Sequence, residues 1–132
     1  MDNDILETSK TDDVIPEINT EKACYLGCYI DDELAGVSIF KPENYMCVEY
    51  HPNLLKKFRG ETSKPYTVNS LKWLVENAPQ YTKVNVKFPK SIKGLDKYAE
   101  SCGFTFEGVD RQSHPTGDRL CYGITKQEIE LL

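Results

Sequence analysis

The sequence lacks any long hydrophobic run, and its first residues are acidic rather than basic and then apolar. These two absences argue against a transmembrane span and a secretory signal. The chain contains five cysteines, but no Cys-x-x-Cys pair, and they are scattered through apolar stretches. We therefore expect buried free thiols, a reducing compartment and a cytoplasmic location.

Motifs for metal, nucleotide or triad chemistry are also missing. The chain has 2 histidines and shows no metal-ligand cluster, no Ser-His-Asp set and no nucleotide-binding glycine loop. Its 132 residues are 39% hydrophobic and 28% charged, a composition typical of one globular domain with a real core. No internal repeat is visible, and no linker follows Lys22.

Charge is distributed unevenly along the chain. Residues 1–22 hold seven acids and two lysines, which accounts for the net charge of −5, whereas residues 23–132 hold fourteen charges of each sign. We interpret residues 1–22 as an acidic arm that docks on the basic middle of the chain or on a partner in an assembly. Residues 23–132 form the domain.

The basic middle spans residues 56–97, with ten basic side chains against three acids. It suits a phosphorylated ligand, although a solvated helix face is an equal alternative. Aromatic residues are interleaved with the basic ones, but no recognised nucleic-acid motif surrounds them, so a nucleic-acid partner is disfavoured.

Hydrophobic periodicity predicts the element order β-β-β-α-β-α-β-β and a mixed α/β sandwich with a largely antiparallel sheet. A first helix is predicted over residues 63–77, and a second begins after a Ser91 cap and ends at Gly103. The segment 110–118 is predicted to be a turn. The predicted strands are residues 23–30, 34–40, 45–51, 82–88, 104–109 and 120–125.

The third strand leads into the most informative stretch. It ends at Pro52, a basic loop follows, and a helix starts near Ser63. Free N–H groups and the positive end of the helix dipole favour an anion at such a place. The order of strand, basic loop and helix therefore predicts a phosphate site.

Three stretches of the sequence then carry a family resemblance. Val48-Glu-Tyr-His-Pro52 precedes Phe58-Arg-Gly60, Lys97-Tyr-Ala-Glu-Ser-Cys-Gly-Phe104 precedes Glu107-Gly108, and a closing stretch runs over residues 110–125. Over residues 24–125 the chain resembles the GCN5-related N-acetyltransferase (GNAT) superfamily, nearest to short phage-encoded or ribosomal-protein-acetyltransferase-like members. The resemblance implies a mixed, largely antiparallel sheet with helices on both faces and a shortened amino-terminal part.

In such folds the third strand and the fifth splay apart, and the pantetheine arm of acyl-CoA lies in the gap. The resemblance thus implies acetyl-CoA as co-substrate, no metal, and an amine acceptor. It implies Glu49 as the catalytic base and Tyr98 as the acid. The residues implied to bind the cofactor are Tyr50, Lys57, Phe58, Arg59, Gly60, Glu61, Thr62, Ser63 and Ser91.

The residues themselves leave alternatives open for each role. Glu49 could equally be a strand carboxylate facing solvent, His51 could act as the base through water, and Tyr98 could belong to the core. Thr62 and Lys64 occupy places where the family has glycine, which lets backbone approach phosphate closely. Either these side chains contribute a hydroxyl and a charge, or tight CoA binding has been lost.

The length of the segment before the first predicted strand gives an expectation about the acceptor side. Twenty-two residues cannot supply the strand and two helices that wall the acceptor site in the family, so the acceptor side should be open. The leading hypothesis is an N-acetyltransferase acting on a protein or small-molecule amine. The alternative is a non-catalytic interaction or structural protein, such as a phage virion or host-takeover component, located in the virion or host cytoplasm.

Overall fold

A computed structural model describes residues 23–58 and 63–132, and within them the chain forms six strands and three helices. The acidic arm and the predicted site residues Arg59, Gly60, Glu61 and Thr62 lie outside the described residues. No described helix is both long and apolar enough to cross a membrane. The elements are β1 (Cys24–Ile30), β2 (Glu33–Pro42), β3 (Cys47–Leu54), a 3₁₀ turn (Lys56–Phe58), α1 (Ser63–Asn77), β4 (Lys83–Pro89), α2 (Leu95–Ser101), β5 (Thr105–His114), β6 (Gly117–Thr125) and α3 (Lys126–Glu130).

The strands form one sheet in the order β1-β2-β3-β4-β6-β5. Only the central pair, β3 and β4, is parallel, and the other four neighbouring pairs are antiparallel. The parallel pair requires a crossover, which α1 supplies, whereas hairpins connect β1 to β2 and β5 to β6. The prediction of a mixed, largely antiparallel sheet is confirmed.

The core lies between one face of this sheet and the helices. Alternate residues of the central strands, such as Val48 and Val84, are 1% exposed because α1 covers them with Leu71 and Leu74. Ala99 of α2 and Ile129 of α3 join the same cluster, which also holds Phe40, Tyr50, Val86, Tyr122 and Ile124. Among the described residues the three helices therefore pack on one face of the sheet. Helices were expected on both faces, and the described helices cover this face alone.

Strand ends differ from the sequence-based expectation in two places. β3 continues through Pro52 to Leu54 while pairing with β2, because β4 borders it only as far as Glu49 and a proline is tolerated at a free strand edge. The segment 110–118 is mostly strand, with the turn reduced to residues 115–116. Arg119 pairs with Asp110 at 3.0 Å across the hairpin, which stabilises strand where turn-forming residues predicted a loop.

The predicted helix cap at Ser91 is wrong. The α2 helix begins at Leu95 after Gly94, which has φ 90° and provides no side-chain cap. The Ser91 hydroxyl is instead hydrogen-bonded to the Thr116 hydroxyl at 2.7 Å, which joins the loop after β4 to the β5–β6 turn.

The predicted end of α2 at Gly103 is confirmed. Phe104 N–H donates to the Ala99 carbonyl and Gly103 N–H to the Glu100 carbonyl, both at 3.0 Å, the pattern of a Schellman motif. Gly103 has φ 100°, a left-handed conformation that favours glycine.

Candidate functional site

The central feature of the molecule is a gap in its sheet. The two parallel strands pair from Cys47 with Lys83 only to Glu49 with Asn85, although β3 continues to Leu54 and β4 to Pro89. The expected splay thus lies between the third and fourth strands, because α1 links these two. The expectation that it involves the fifth strand is wrong, since β5 lies at the far edge of the sheet beside β6.

The gap opens toward the carboxyl ends of β3 and β4. The chain leaves β3 into the 3₁₀ turn and α1 at that end, and the loop with Ser91 leaves β4 at the same end. Both are therefore near a group that lies in the gap, since parallel strands end at the same edge. An extended molecule entering the gap would meet main-chain groups of both strands along its length.

Glu49 and His51 lie side by side on β3. Val48 and Tyr50, the residues that alternate with them, face the core, so Glu49 and His51 project from the opposite face of the sheet. Their side chains are 25% and 36% exposed, and His51 Nε2 lies 2.9 Å from Glu49 Oε1. The contact lacks the alignment of a hydrogen bond, so it is a close polar contact.

The environment of His51 favours its neutral form. Partial burial lowers the pKa of His51, the Lys41 charge lowers that pKa further, and Glu49 opposes both. Lys41 lies opposite Glu49 on β2. The imidazole is therefore neutral near pH 7, and it lies beside the carboxylate of Glu49, the last residue of β3 that pairs with β4.

Tyr50, predicted to bind the cofactor, is a core residue. Its side chain is 2% exposed, its ring stacks on Phe40 with centroids 4.9 Å apart, and its hydroxyl lies 3.0 Å from Ser38 Oγ. Burial raises the pKa of the phenol. Only the main chain of Tyr50, beyond the last pair with β4, is in a position to meet a ligand.

Ser38 belongs to a buried hydroxyl cluster that the sequence analysis missed. Its Oγ lies 2.9 Å from Ser70 Oγ and donates to Tyr66 Oη at 3.1 Å. Tyr66 Oη in turn donates to the Asn53 carbonyl of β3 at 3.4 Å. No local signal identifies such a cluster, because its members come from β2, β3 and α1 and are brought together only by tertiary packing.

The described part of the loop after β3, where a phosphate site is predicted, is basic and exposed. Lys57 forms a salt bridge with Glu33 across the β1–β2 turn, and its Nζ lies 5.0 Å from the centre of the Phe58 ring. The pair is more than half exposed on both sides, so solvent screens it strongly and Lys57 can exchange partners. Ser63 begins α1 directly after the undescribed residues.

Tyr98 reaches the first turn of α1 from α2. Its hydroxyl donates to the Ser63 carbonyl at 2.7 Å and lies 2.8 Å from Thr67 Oγ1. Partial burial raises the pKa of this phenol. Tyr98 thus lies on the helical side of the sheet, whereas Glu49 projects from the other side.

A second concave surface lies at the β5–β6 hairpin, whose Asp118 carbonyl accepts from the Lys90 N–H in the loop after β4. It measures about 690 Å³ and is lined by Val109, Asp110, Arg111, Gln112 and Asp118. Asp110 is paired with Arg119 and Asp118 accepts from the Gln112 N–H, so these carboxylates hold the hairpin together. No group of three or more metal-ligating side chains occurs among the described residues.

Comparison with solved structures identifies the fold. The chain matches a GNAT family acetyltransferase from Elizabethkingia anophelis with acetyl-CoA bound (TM-score 0.69, 13% identity, 79% of this chain and 76% of that one). It also matches a spermidine N-acetyltransferase SpeG chimera from Vibrio cholerae and hSSAT (TM-score 0.76, 13% identity, 83% and 73%). A third match is the Salmonella typhimurium acetyl transferase that modifies the N-terminal serine of ribosomal protein L7/L12 (TM-score 0.68, 17% identity, 79% and 64%).

The fold of the chain is therefore that of the GNAT acetyltransferases. At these identities the likeness concerns the fold. No protein-family model and no curated protein sequence matches the chain.

Proposed function

We propose that the protein is an acyl-CoA-dependent N-acyltransferase that transfers an acetyl group from acetyl-CoA to an amine. The observation that carries this proposal is the gap beyond Glu49 and Asn85, flanked by two parallel strands that no longer pair with each other. Pantetheine is an extended chain with two amide groups, which can hydrogen-bond to main-chain groups as a strand does. Lys56, Lys57 and Lys64 supply positive charge for its diphosphate.

In the proposed reaction the amine nitrogen attacks the thioester carbonyl carbon, the carbon–sulfur bond breaks, and the CoA thiolate leaves and takes up a proton. The amine must lose its own proton to attack. Glu49 is proposed to accept that proton, with the neutral His51 beside it as a relay. Positioning of the two reactants in the gap supplies the rest of the rate enhancement.

An open acceptor side is part of this proposal. The described helices cover one face of the sheet, and Glu49 and His51 project from the other. A large acceptor, such as a protein amino terminus, or an exposed polyamine fits such a face. All five cysteines are free, as a reducing compartment such as the cytoplasm requires.

The test combines binding with turnover. Acetyl-CoA should raise the thermal midpoint of the protein, because a ligand that binds only the native state stabilises it. Free CoA should be released in the presence of spermidine or a peptide with an N-terminal serine. Glu49→Gln should keep the midpoint shift and lower turnover by about 10²-fold or more, the usual contribution of a general base.

Glu107→Gln is the matched control. Glu107 pairs with Lys83 at 2.6 Å across β6, and Lys83 lies at the amino end of β4, opposite the end at which the gap opens, so this variant should retain both binding and turnover. Absence of any midpoint shift with acetyl-CoA would overturn the proposed function. Equal turnover of Glu49→Gln and the wild type would remove Glu49 from the mechanism.

One observation favours a non-catalytic protein as a second candidate. The Tyr98 proton is donated to the Ser63 carbonyl, so the hydroxyl is not directed at a leaving thiolate. A GNAT fold used for interaction or structure, as in a phage virion or host-takeover role, would need no such proton. Acetyl-CoA binding without CoA release by any amine would support this candidate.

A further inference from the structure

The first turn of α1 is held from two sides by tyrosine hydroxyls. On the sheet side, Tyr66 Oη accepts from Ser38 and donates to the Asn53 carbonyl. On the α2 side, Tyr98 Oη binds both Ser63 and Thr67. Two different elements therefore determine where α1 begins relative to the open end of the gap.

The hydrogen-bond directions at Tyr98 follow from the number of protons. A phenol has one O–H, and that of Tyr98 is donated to the Ser63 carbonyl, so the Thr67 hydroxyl donates to Tyr98 Oη. Thr67 is 3% exposed, so water competes poorly for this pair. Use of the Tyr98 proton in catalysis would break the contact that fixes the Ser63 carbonyl.

We propose that Tyr98 is a positioning residue that holds the first turn of α1 where its N–H groups meet the diphosphate of acyl-CoA. This inference rests on the proposed function and assigns Tyr98 to cofactor affinity rather than to protonation of the thiolate. Thr67 shares this role because it completes the contact. The alternative role, general acid, makes the opposite prediction for affinity and turnover.

The first experiment compares Tyr98→Phe and Thr67→Val with the wild type by calorimetric titration with acetyl-CoA and by steady-state kinetics. Both variants should weaken acetyl-CoA binding by about tenfold, the loss expected for one or two hydrogen bonds. The value of kcat at saturating acetyl-CoA, and its pH profile, should stay unchanged. A lower kcat with a lost alkaline limb and unchanged affinity would overturn the inference.

Tyr122→Phe is the matched control. Tyr122 also links the sheet to α2, through a long 3.4 Å hydrogen bond from its hydroxyl to Oε1 of Glu100, a residue of α2 rather than of α1. This variant should bind acetyl-CoA as the wild type does. Equal weakening in all three variants would show a general loss of packing and overturn the specific role of Tyr98.

A second readout separates this inference from the proposed function. Amide hydrogen exchange of residues 67–70, the next turn, whose N–H groups are bonded to the first turn, should be faster in Tyr98→Phe without any ligand, while that of β4 and β6 stays as in the wild type. If the wild type does not bind acetyl-CoA, the proposed function fails and the exchange measurement still decides the positioning role. Unchanged exchange in residues 67–70 would overturn that role.

Discussion

At the scale of single residues, the Glu49–His51 pair shows how a strand produces a site. Residues two apart on β3 project from the same face, so the i and i+2 spacing alone places a carboxylate beside an imidazole. Partial burial and Lys41 then keep the imidazole neutral although Glu49 attracts its proton. The balance between these effects decides the charge of the pair at a given pH.

This balance predicts that the stability of the protein falls as the pH falls through the upper part of the histidine range. The pKa of His51 in the folded protein is lowered from 6.5, so in this range the unfolded chain binds more protons than the folded one. The contribution of His51 to the free energy of unfolding is therefore complete above about pH 6.5 and is lost as the pH falls through the folded pKa. Denaturant titrations between about pH 5 and pH 7.5 measure it. His51→Gln should reduce the slope in this window, and an unaltered slope would contradict the assignment.

At the scale of elements, the end of α2 depends on one backbone conformation. Gly103 adopts φ 100°, and a Cβ there would lie 3.1 Å from Leu132 Cδ2 and 3.2 Å from Ile124 Cδ1. Both the strained φ and the crowding act against any side chain at this position. The Gly-Phe pair is thus explained by the helix end and by its packing on β6 and the segment after α3.

Gly103→Ala should lower the free energy of unfolding by about 1–3 kcal/mol, because a residue with a Cβ is strained in the left-handed region. Gly94→Ala is the control, since Gly94 has φ 90° but no atom lies within 4 Å of the place that a Cβ would occupy there. The difference between the two losses in free energy of unfolding measures the cost of crowding by Leu132 and Ile124. A larger loss for Gly94→Ala, measured by urea titration, would contradict this explanation.

The elements also show which structural features a sequence can predict. Alternation and helical spacing identified all six strands and the two longer helices, because burial on one face imposes these periods. The strand character of segment 110–118 was not predicted, because its residues are typical of turns whereas its pairing with β6 is a tertiary contact. The short α3 was missed although Thr125 and Glu128 form a capping box, a signal that local sequence does contain.

The candidate site likewise combines features that the sequence predicts with features that depend on tertiary packing. The position of Glu49 at the end of the parallel pairing follows from the resemblance and the element order, and the strand period puts His51 beside it. The partners of Tyr98 and the core role of Tyr50 could not be predicted, because they depend on how α1 and α2 pack against the sheet. Contacts of this kind are encoded by the whole fold rather than by a local pattern.

At the scale of the whole molecule, the sheet and the helical layer are joined by polar as well as apolar contacts. Ser38 on β2 is fully buried, and its Oγ lies within hydrogen-bonding distance of three hydroxyls, those of Tyr50, Tyr66 and Ser70. Loss of the Ser38 hydroxyl would remove the partner of the buried Tyr50 hydroxyl, whereas Tyr66 and Ser70 keep their hydrogen bonds to the Asn53 and Tyr66 carbonyls. The cluster therefore fixes the position of α1 over β2 and β3 more specifically than apolar packing does.

Ser38→Ala should lower the free energy of unfolding by about 1–3 kcal/mol, the cost of leaving a buried hydroxyl unsatisfied. Ser91→Ala is the control, because the Ser91 hydroxyl is exposed and its loss should change stability by less than about 0.5 kcal/mol. Chemical denaturation of both variants measures the difference. Equal effects of the two substitutions would show that the buried cluster contributes no more than a surface contact.

The irregular strand registers have a consequence for assembly. The register shifts occur where the edge strands pair, between Cys28 and Tyr29 of β1 and at Phe106/Gly108 and Asp110/His114 of β5, whereas the inner pairs run without a shift. At β5 the extra residues lie on the edge strand itself, which makes that edge a poor template for a further strand, whereas the extra residue at the other shift is Ala35 on the inner strand β2. Within the sheet, unpaired main chain of regular strands is also present in the interior gap, where β3 and β4 continue beyond Glu49 and Asn85, and a thin, extended molecule can enter there without adding to an edge.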